Sequence, residues 1–149
     1  MFDGHGGSSV AEYVARALPA AVDAELAQLS PDVAHSVVEN AISRAFVSLD
    51  AQLSLDMMKS DGVSLRRPGS CALLAVERLG WLHVAHAGDC RAVVTCGNGE
   101  RILLVTQDHN AKEPAEQQLL RAAHPGEADV VVRFQPRHCL PCDYVFVVL

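Results

Sequence analysis

The sequence predicts an α+β domain in which two long helices pack on an antiparallel β-meander and a shorter helix follows. Three observations predict this class. Residues 10–58 carry apolar side chains at helical spacing, and residues 71–108 carry short β-type runs separated by turn formers. A brief helical pattern follows these runs. The length of 149 residues suits one ordinary domain.

Composition and charge exclude several classes of protein. The net charge of -6 argues against a surface for nucleic acid or anionic membranes, because both would repel it. No apolar run reaches the roughly 18 residues of a membrane span, and the first residues lack the pattern of a signal peptide. Five unevenly spaced cysteines do not form a disulfide framework, which favours a reducing compartment. We therefore expect a soluble intracellular domain.

A capping-box pattern predicts the start of the first helix. In the sequence SVAE at residues 9–12, a serine is followed three positions later by a glutamate, and alanine-rich sequence comes next. We predict a helix from about Val10 to Leu29. Pro19 lies inside it and is expected to kink or divide it, because proline removes a backbone donor.

The second helix is predicted from a proline start and a long apolar stripe. Ser30 is placed as the N-cap and Pro31 as the first helical residue, and the helix is expected to end near Met58. The stripe follows one helical face. Its members are Val33, Val37, Val38, Ala41, Ile42, Ala45, Phe46, Leu49 and Leu53.

Four short β-type runs follow, with close turns between them. RLG at residues 78–80 separates the first two runs, and GD at residues 88–89 marks a corner after the second. NG at residues 98–99 is a strong hairpin signal between the last two. We predict a meander whose inner strands are buried on both faces.

The last part of the chain is harder to interpret. A third helix is expected from about Pro114 to Ala123, with Leu119 and Leu120 on its apolar side. The closing stretch FQPRHCLPCDYVFVVL is either an edge strand or sequence that was not selected to fold here. The single Cys-x-x-Cys pair within it is weak support for a zinc or redox site, because a second ligand pair is missing.

Two acidic positions are candidates for a catalytic or metal-binding site. Asp3 could bridge two hard cations, Gly4 could offer a backbone carbonyl, and His5 could pass a proton near neutral pH. The alternative is a flexible terminal turn. Asp89 is a second candidate carboxylate, against the alternative of a turn-forming aspartate that binds its own backbone. QDHN at residues 107–110 fits a turn that leads into a helix.

Taken together, these segments resemble a known family. FDGHGG, GSCALLA, LHVAHAGDCRAV and TQDHNA are similar, in order and spacing, to segments of the metal-dependent type 2C protein serine/threonine phosphatases. The usual text of that family is close to VFDGHGG, SGSTA, ANVGDSRAV and T-x-DH. The resemblance runs from Phe2 to about Val132. It implies a hydrolase acting on phosphoproteins and an α-β-β-α sandwich, of which the predicted elements form a part.

A finer resemblance points to the pyruvate dehydrogenase phosphatase branch. That branch has DHNA, a glutamate-rich helix, then HP, Glu and a valine pair. The resemblance implies a mitochondrial matrix enzyme that acts on the E1 component of the pyruvate dehydrogenase complex. The matching residues are Asp108, His109, Asn110, Ala111, His124, Pro125, Glu127, Val131 and Val132.

The resemblance also implies roles for individual residues. Asp3 corresponds to the carboxylate that bridges two Mg²⁺ or Mn²⁺ ions, and Gly4 to the residue whose carbonyl binds one of them. His5 corresponds to the general acid for the leaving serine oxygen. Asp89 corresponds to the aspartate of a third, weaker metal position.

Other parts of the family pattern do not match. The strand that precedes DGHGG in the family and the later GD and DN aspartates have no counterpart here, so we interpret the chain as an internal piece of a longer phosphatase. Residues 1–133 would be a partial type 2C domain and residues 134–149 a divergent tail. The isolated chain is expected to hydrolyse phosphoserine peptides at no more than background. The alternative is an inactive phosphatase-fold chain that acts at most as a binding module.

Two expectations concern packing. Ile42, Phe46 and Leu49 should lie against a sheet, because they belong to the long apolar stripe. Asp3 and Asp89 should approach each other in one acidic pocket, because the resemblance gives both to the same metal centre.

Overall fold

A computed structural model describes residues 1–59, 68–96, 100–126, 131–134 and 144–147. These residues form three helices and seven strands, and the predicted α+β class is confirmed. The elements in chain order are β1 Phe2–His5, α1 Ser9–Leu26, α2 His35–Lys59, β2 Gly69–Arg78, β3 Trp81–Ala87, β4 Val93–Cys96, β5 Arg101–Val105, α3 Pro114–Ala123, β6 Val131–Phe134 and β7 Tyr144–Val147. The chain divides into two compact units, Met1–Thr106 and Gln107–Leu149.

Helix α1 begins and ends close to the predicted bounds, but the contacts at its start differ from the predicted ones. Ser8, not Ser9, is the N-cap, and its side chain makes no capping hydrogen bond, so the predicted capping box is wrong. Instead, the Glu12 amide donates to the carbonyl of Ser8 at 2.9 Å. The helix continues through Pro19, and the predicted division does not occur.

The end of α1 is fixed by a side chain from a distant strand. The Arg78 guanidinium donates to the carbonyls of Leu26, Leu29 and Ser30, each at 3.3 Å. The guanidinium thereby places a cation at the C-terminal end of α1, where positive charge is favourable. The helix ends at Leu26, three residues before the predicted end.

Helix α2 starts later than predicted. Pro31 and Asp32 form a turn, so Pro31 is not the first helical residue, and the helix begins at His35. The helix ends at Lys59, next to the predicted end at Met58. The predicted stripe is largely correct, although Val37 is 39% exposed.

Helices α1 and α2 pack together on one face of a sheet with strand order β1-β2-β3. Ile42 is buried, and Phe46 and Leu49 pack partly buried against the same core, so the predicted packing is confirmed. Phe2, Leu74, Val76 and Ala85 face the helices from the sheet. The buried members of this core are Val14, Leu18, Val22, Leu26, Val38, Ala41, Ile42, Ala45 and Ala72.

The β region forms two hairpins and not one continuous meander. Strands β2 and β3 are joined at Leu79-Gly80, where both residues have positive φ as in a two-residue hairpin turn. Strands β4 and β5 form a separate two-stranded sheet with a register shift between Val94 and Thr95. None of the residues of β3 and β4, the inner strands of the predicted meander, is buried, so the prediction that these strands are buried on both faces is wrong. Residues 98–99 lie outside the described residues.

The second unit contains α3 and the β6–β7 pair. Helix α3 has the predicted bounds, but Leu119 is 64% exposed while Leu120 is half-buried. The Lys112 amide donates to Asn110 Oδ1 at 2.9 Å, which confirms the predicted helix-entry turn. Strand β7 pairs antiparallel with β6, as the edge-strand alternative requires. Cys139 and Cys142 lie outside the described residues.

None of the helices that the structure describes is long and apolar enough to cross a membrane.

Candidate functional site

The first candidate residues lie on a paired strand. Asp3, Gly4 and His5 belong to β1, where Asp3 is opposite Cys71 on β2. The Ser70 hydroxyl donates to the carbonyl of Asp3 at 3.3 Å, which ties the two strands together at this position. The alternative of a flexible terminal turn is therefore wrong for these residues.

Strand alternation decides which way these residues face. Phe2 and Ala72 are opposite each other and belong to the helix-covered side of the sheet. The next pair, Asp3 and Cys71, consequently lies on the other side, because successive strand residues point to opposite faces. The candidate site is thus on the sheet face away from α1 and α2.

Asp89 reaches the same region through a tight corner after β3. Gly88 has φ +84°, a conformation that glycine adopts without steric cost. A Cβ at this position would overlap the Sγ of Cys71. The corner therefore packs against β2, and the Cys71 thiol donates to Asp89 Oδ1 at 3.3 Å.

The Cys71 thiol lies between the two candidate strand segments, and Cys90 follows Asp89 directly. Cys71 pairs with Asp3 across the strands and binds Asp89 through its side chain. Burial, followed by the charge of Asp89 and that of the Cys90 thiolate, raises the pKa of Cys71, although a backbone hydrogen bond from Asp89 opposes this. Burial also raises the pKa of Cys90, and the negative charges of Asp3 and Asp89 raise it further. We call these four residues the thiol–carboxylate cluster; it is how the structure brings Asp3 and Asp89 to one place.

Sequence reasoning missed the two cysteines. Cys90 is buried, with 5% of its surface exposed. Cys71 is only half-buried and hydrogen-bonds a candidate carboxylate. Both cysteines differ from the residue that the similar family text has at the same position, and this difference was visible in the sequence. Cys71 stands in GSCALLA and Cys90 in AGDC, where the similar family text has threonine and serine.

His5 lies beside the cluster on the same strand. It is opposite Gly69 on β2, and its ring occupies the space above that glycine, so that a Cβ there would overlap Nε2. The side chain is exposed. It is therefore accessible to a molecule that approaches from solvent.

The donor types of the cluster suit a hard divalent cation. Carboxylate and carbonyl oxygens are the ligands that Mg²⁺ and Mn²⁺ prefer. Asp3, Asp89 and the carbonyl of Gly4 offer such oxygens. However, in the part of the chain that the structure describes, no group of three or more His, Cys, Asp or Glu side chains is arranged to hold a metal ion. The donor chemistry fits, and the number of side chains falls short of a cage.

A pocket of about 220 Å³ lies at the other end of the β2–β3 hairpin. It is lined by Arg78, Trp81 and His83 from the hairpin and by His35 from α2, and the rings of His35 and Trp81 are 4.1 Å apart between centroids. The length of β2 puts this pocket about 20 Å from Cys71. It is separate from the candidate carboxylates, so the candidate site is placed at the thiol–carboxylate cluster.

The thiols of the cluster are expected to be slow to alkylate. At pH 8, Cys71 and Cys90 should react with iodoacetamide more slowly than Cys96, because the thiolate is the nucleophile and a raised pKa reduces its fraction. Peptide mass spectrometry after timed quenching measures each site. In urea the three rates should become similar. Equal rates in the folded chain would contradict the described environment of the cluster.

Comparison with known proteins places the chain among named relatives. A family model described as protein phosphatase 2C matches residues 1–135. "Probable protein phosphatase 2C 43" of Oryza sativa subsp. japonica is 34% identical over 138 residues, which cover 89% of this chain and 34% of that protein. "Probable protein phosphatase 2C 30" of Arabidopsis thaliana is 34% identical over 122 residues, which cover 82% of this chain and 29% of the relative.

An animal relative shows the same pattern. "Probable protein phosphatase 1N" of Mus musculus is 34% identical over 125 residues, covering 83% of this chain and 28% of that protein. The chain thus spans about a third of the length of the curated relatives it matches.

Proposed function

Because this chain belongs to the protein phosphatase 2C family, we propose that it supplies part of the catalytic site of a metal-dependent protein serine/threonine phosphatase. The reaction is hydrolysis of phosphoserine or phosphothreonine on proteins. The observation that carries the proposal is the thiol–carboxylate cluster, since it gathers Asp3 and Asp89 on one exposed sheet face.

Each residue has a role that its position supports. Asp3, Asp89 and the Gly4 carbonyl would hold Mg²⁺ or Mn²⁺. When bound, such ions supply an activated water and neutralise the phosphate oxygens. His5 is exposed at the end of β1, where it can donate a proton to the leaving serine oxygen. Its ring is set by the contact with Gly69.

A phosphatase assay tests this function. In the natural polypeptide that contains these residues, hydrolysis of a phosphoserine peptide should require Mn²⁺ or Mg²⁺. Asp3→Asn should lower kcat at least about a hundredfold, because charge stabilisation is usually the largest contribution to such catalysis. His35→Gln, about 20 Å from the cluster, is the matched control and should keep normal activity. Full activity in Asp3→Asn would refute the proposed site.

The alternative is a chain of the same fold without catalysis, which acts at most by binding another protein. It is favoured by the missing group of three metal-ligating side chains within the described residues. Under this alternative, the natural polypeptide would give no Mn²⁺-dependent turnover, and Asp3→Asn would change nothing.

We also propose the pyruvate dehydrogenase E1 component as the substrate and the mitochondrial matrix as the location. The support is the branch-like text from Asp108 to Val132, in which α3 begins after an asparagine turn. Glu127 of that text lies outside the described residues. Comparing dephosphorylation of phospho-E1 with that of unrelated phosphopeptides tests the proposed substrate.

Residues 1–133 are proposed as the phosphatase segment, and residues 134–149 as a divergent tail.

A further inference from the structure

We propose that Cys71 is a positioning residue, whose thiol holds the carboxylate of Asp89 in the orientation that receives a divalent cation. This inference rests on the proposed function, since it concerns the same candidate site. It adds a residue for which neither the family resemblance nor the chemistry of hard metal ions provides a role.

Cys71 is held more firmly than its partner. It lies on β2, the central strand of the β1-β2-β3 sheet, next to Ala72, which is paired on both sides by Phe2 and Ala87. Asp89, by contrast, lies on an exposed corner after β3. A free aspartate side chain at such a corner loses rotational entropy when it binds a ligand. A hydrogen bond from a fixed neighbour removes part of that cost beforehand.

The contact geometry favours a directed hydrogen bond over loose packing. The distance from Cys71 Sγ to Asp89 Oδ1 is 3.3 Å. Gly88 packs closely against the thiol, because even a Cβ on that glycine would overlap Sγ. The corner that carries Asp89 is therefore in direct contact with Cys71.

The hydrogen bond from Cys71 leaves the carboxylate of Asp89 able to bind a cation. A thiol must be protonated to donate, and an ordinary cysteine thiol keeps its proton at neutral pH. Cys71 is therefore a donor at neutral pH. It uses one lone pair of Oδ1, so Oδ2 remains available to a cation, since a carboxylate accepts at about four sites.

Serine and alanine variants separate positioning from packing. The measured quantity is the Mn²⁺ dissociation constant of the 149-residue chain, obtained from the EPR signal of free Mn²⁺. Cys71→Ala should weaken binding about threefold to tenfold, as expected for loss of one hydrogen bond of ordinary strength. Cys71→Ser should stay within about twofold of wild type, because the hydroxyl still donates and the exposed Asp89 side chain can follow it.

Two controls test whether the change in Mn²⁺ affinity is specific to Cys71. Cys96→Ala removes a thiol on β4 and should leave the dissociation constant unchanged. Circular dichroism checks that each variant is folded. If Cys71→Ala does not fold, Cys71→Thr and Cys71→Val form a second pair, since they have nearly equal volume and differ in the hydroxyl donor.

The outcomes distinguish this inference from the proposed function. Equal affinity in wild type and Cys71→Ala, or equally weak affinity in the serine and alanine variants, would overturn the positioning role. Asp89→Asn should weaken Mn²⁺ binding at least as much as Cys71→Ala. If Asp89→Asn has no effect, or wild type binds no Mn²⁺, the metal site itself is wrong and the positioning role falls with it. If Asp89 is needed and Cys71 is not, only the positioning role is wrong.

Discussion

Replacing Leu18 with alanine is expected to lower the free energy of unfolding by about 3–5 kcal/mol, the range for a large aliphatic side chain in a packed core. Leu18 is 1% exposed and lies on the buried face of α1 between Val14 and Val22. That face meets α2 and β2, so the side chain contributes to the contact between all three elements. The alanine variant loses the transfer energy of the deleted atoms and leaves a cavity that these elements cannot easily close.

Urea unfolding followed by circular dichroism measures the effect. Val47→Ala is the control, since Val47 lies on α2 but is 66% exposed, and its loss should stay within about 0.5 kcal/mol. The slope of the transition should be unchanged in both variants. A loss of less than about 1 kcal/mol in Leu18→Ala would mean that the α1 face is not the centre of the core.

The core and the candidate site lie on opposite faces of strand β2. Ala72 faces the helices, while Cys71 beside it faces Asp3 and Asp89. A change such as Leu18→Ala therefore acts on the opposite side of β2 from the cluster. We expect stability and metal binding to respond to different substitutions, which makes the tests of the cluster interpretable.

Local patterns predicted the helices well because their periodicity reflects burial directly. The stripe from Val38 to Ala45 is buried as predicted, and α3 has the predicted bounds. Helix ends were less accurate. Nothing near Leu26 in the sequence indicates that Arg78, 52 positions later, binds its carbonyl. Tertiary contacts of this kind override the local start and stop signals.

The candidate site was predicted only in part, for the same reason. Asp3 and Asp89 were identified through the family resemblance, which depends on their local motifs. The hydrogen bond from Cys71 joins residues 18 positions apart and depends on the corner at Gly88. The inner strands of the predicted meander, β3 and β4, are expected to be buried on both faces, yet none of their residues is buried, because apolar composition does not say whether a second layer covers a strand.

The second large effect concerns catalysis: the 149-residue chain, assayed by itself with excess Mn²⁺, is expected to hydrolyse p-nitrophenyl phosphate and phosphoserine peptides at no more than background. In-line attack on phosphate needs metal ions that are fully held, because their electrostatic stabilisation carries most of the rate. Hard cations of this kind take about six oxygen ligands each. The described residues bring together two carboxylates, with the Gly4 carbonyl nearby, and no group of three or more metal-ligating side chains.

The assay is decisive because binding and turnover are measured on the same preparation. We expect Mn²⁺ to bind weakly through Asp3 and Asp89, and turnover to equal that of the Asp3→Asn variant at every Mn²⁺ concentration. Weak binding without turnover would follow from an incomplete ligand set, since a loosely held ion can sit on a carboxylate without orienting a water for attack. Turnover that rises with Mn²⁺ and disappears in Asp3→Asn would contradict this prediction. It would mean that further oxygen ligands, supplied by other residues of the chain or by a second copy, complete the site around Asp3 and Asp89.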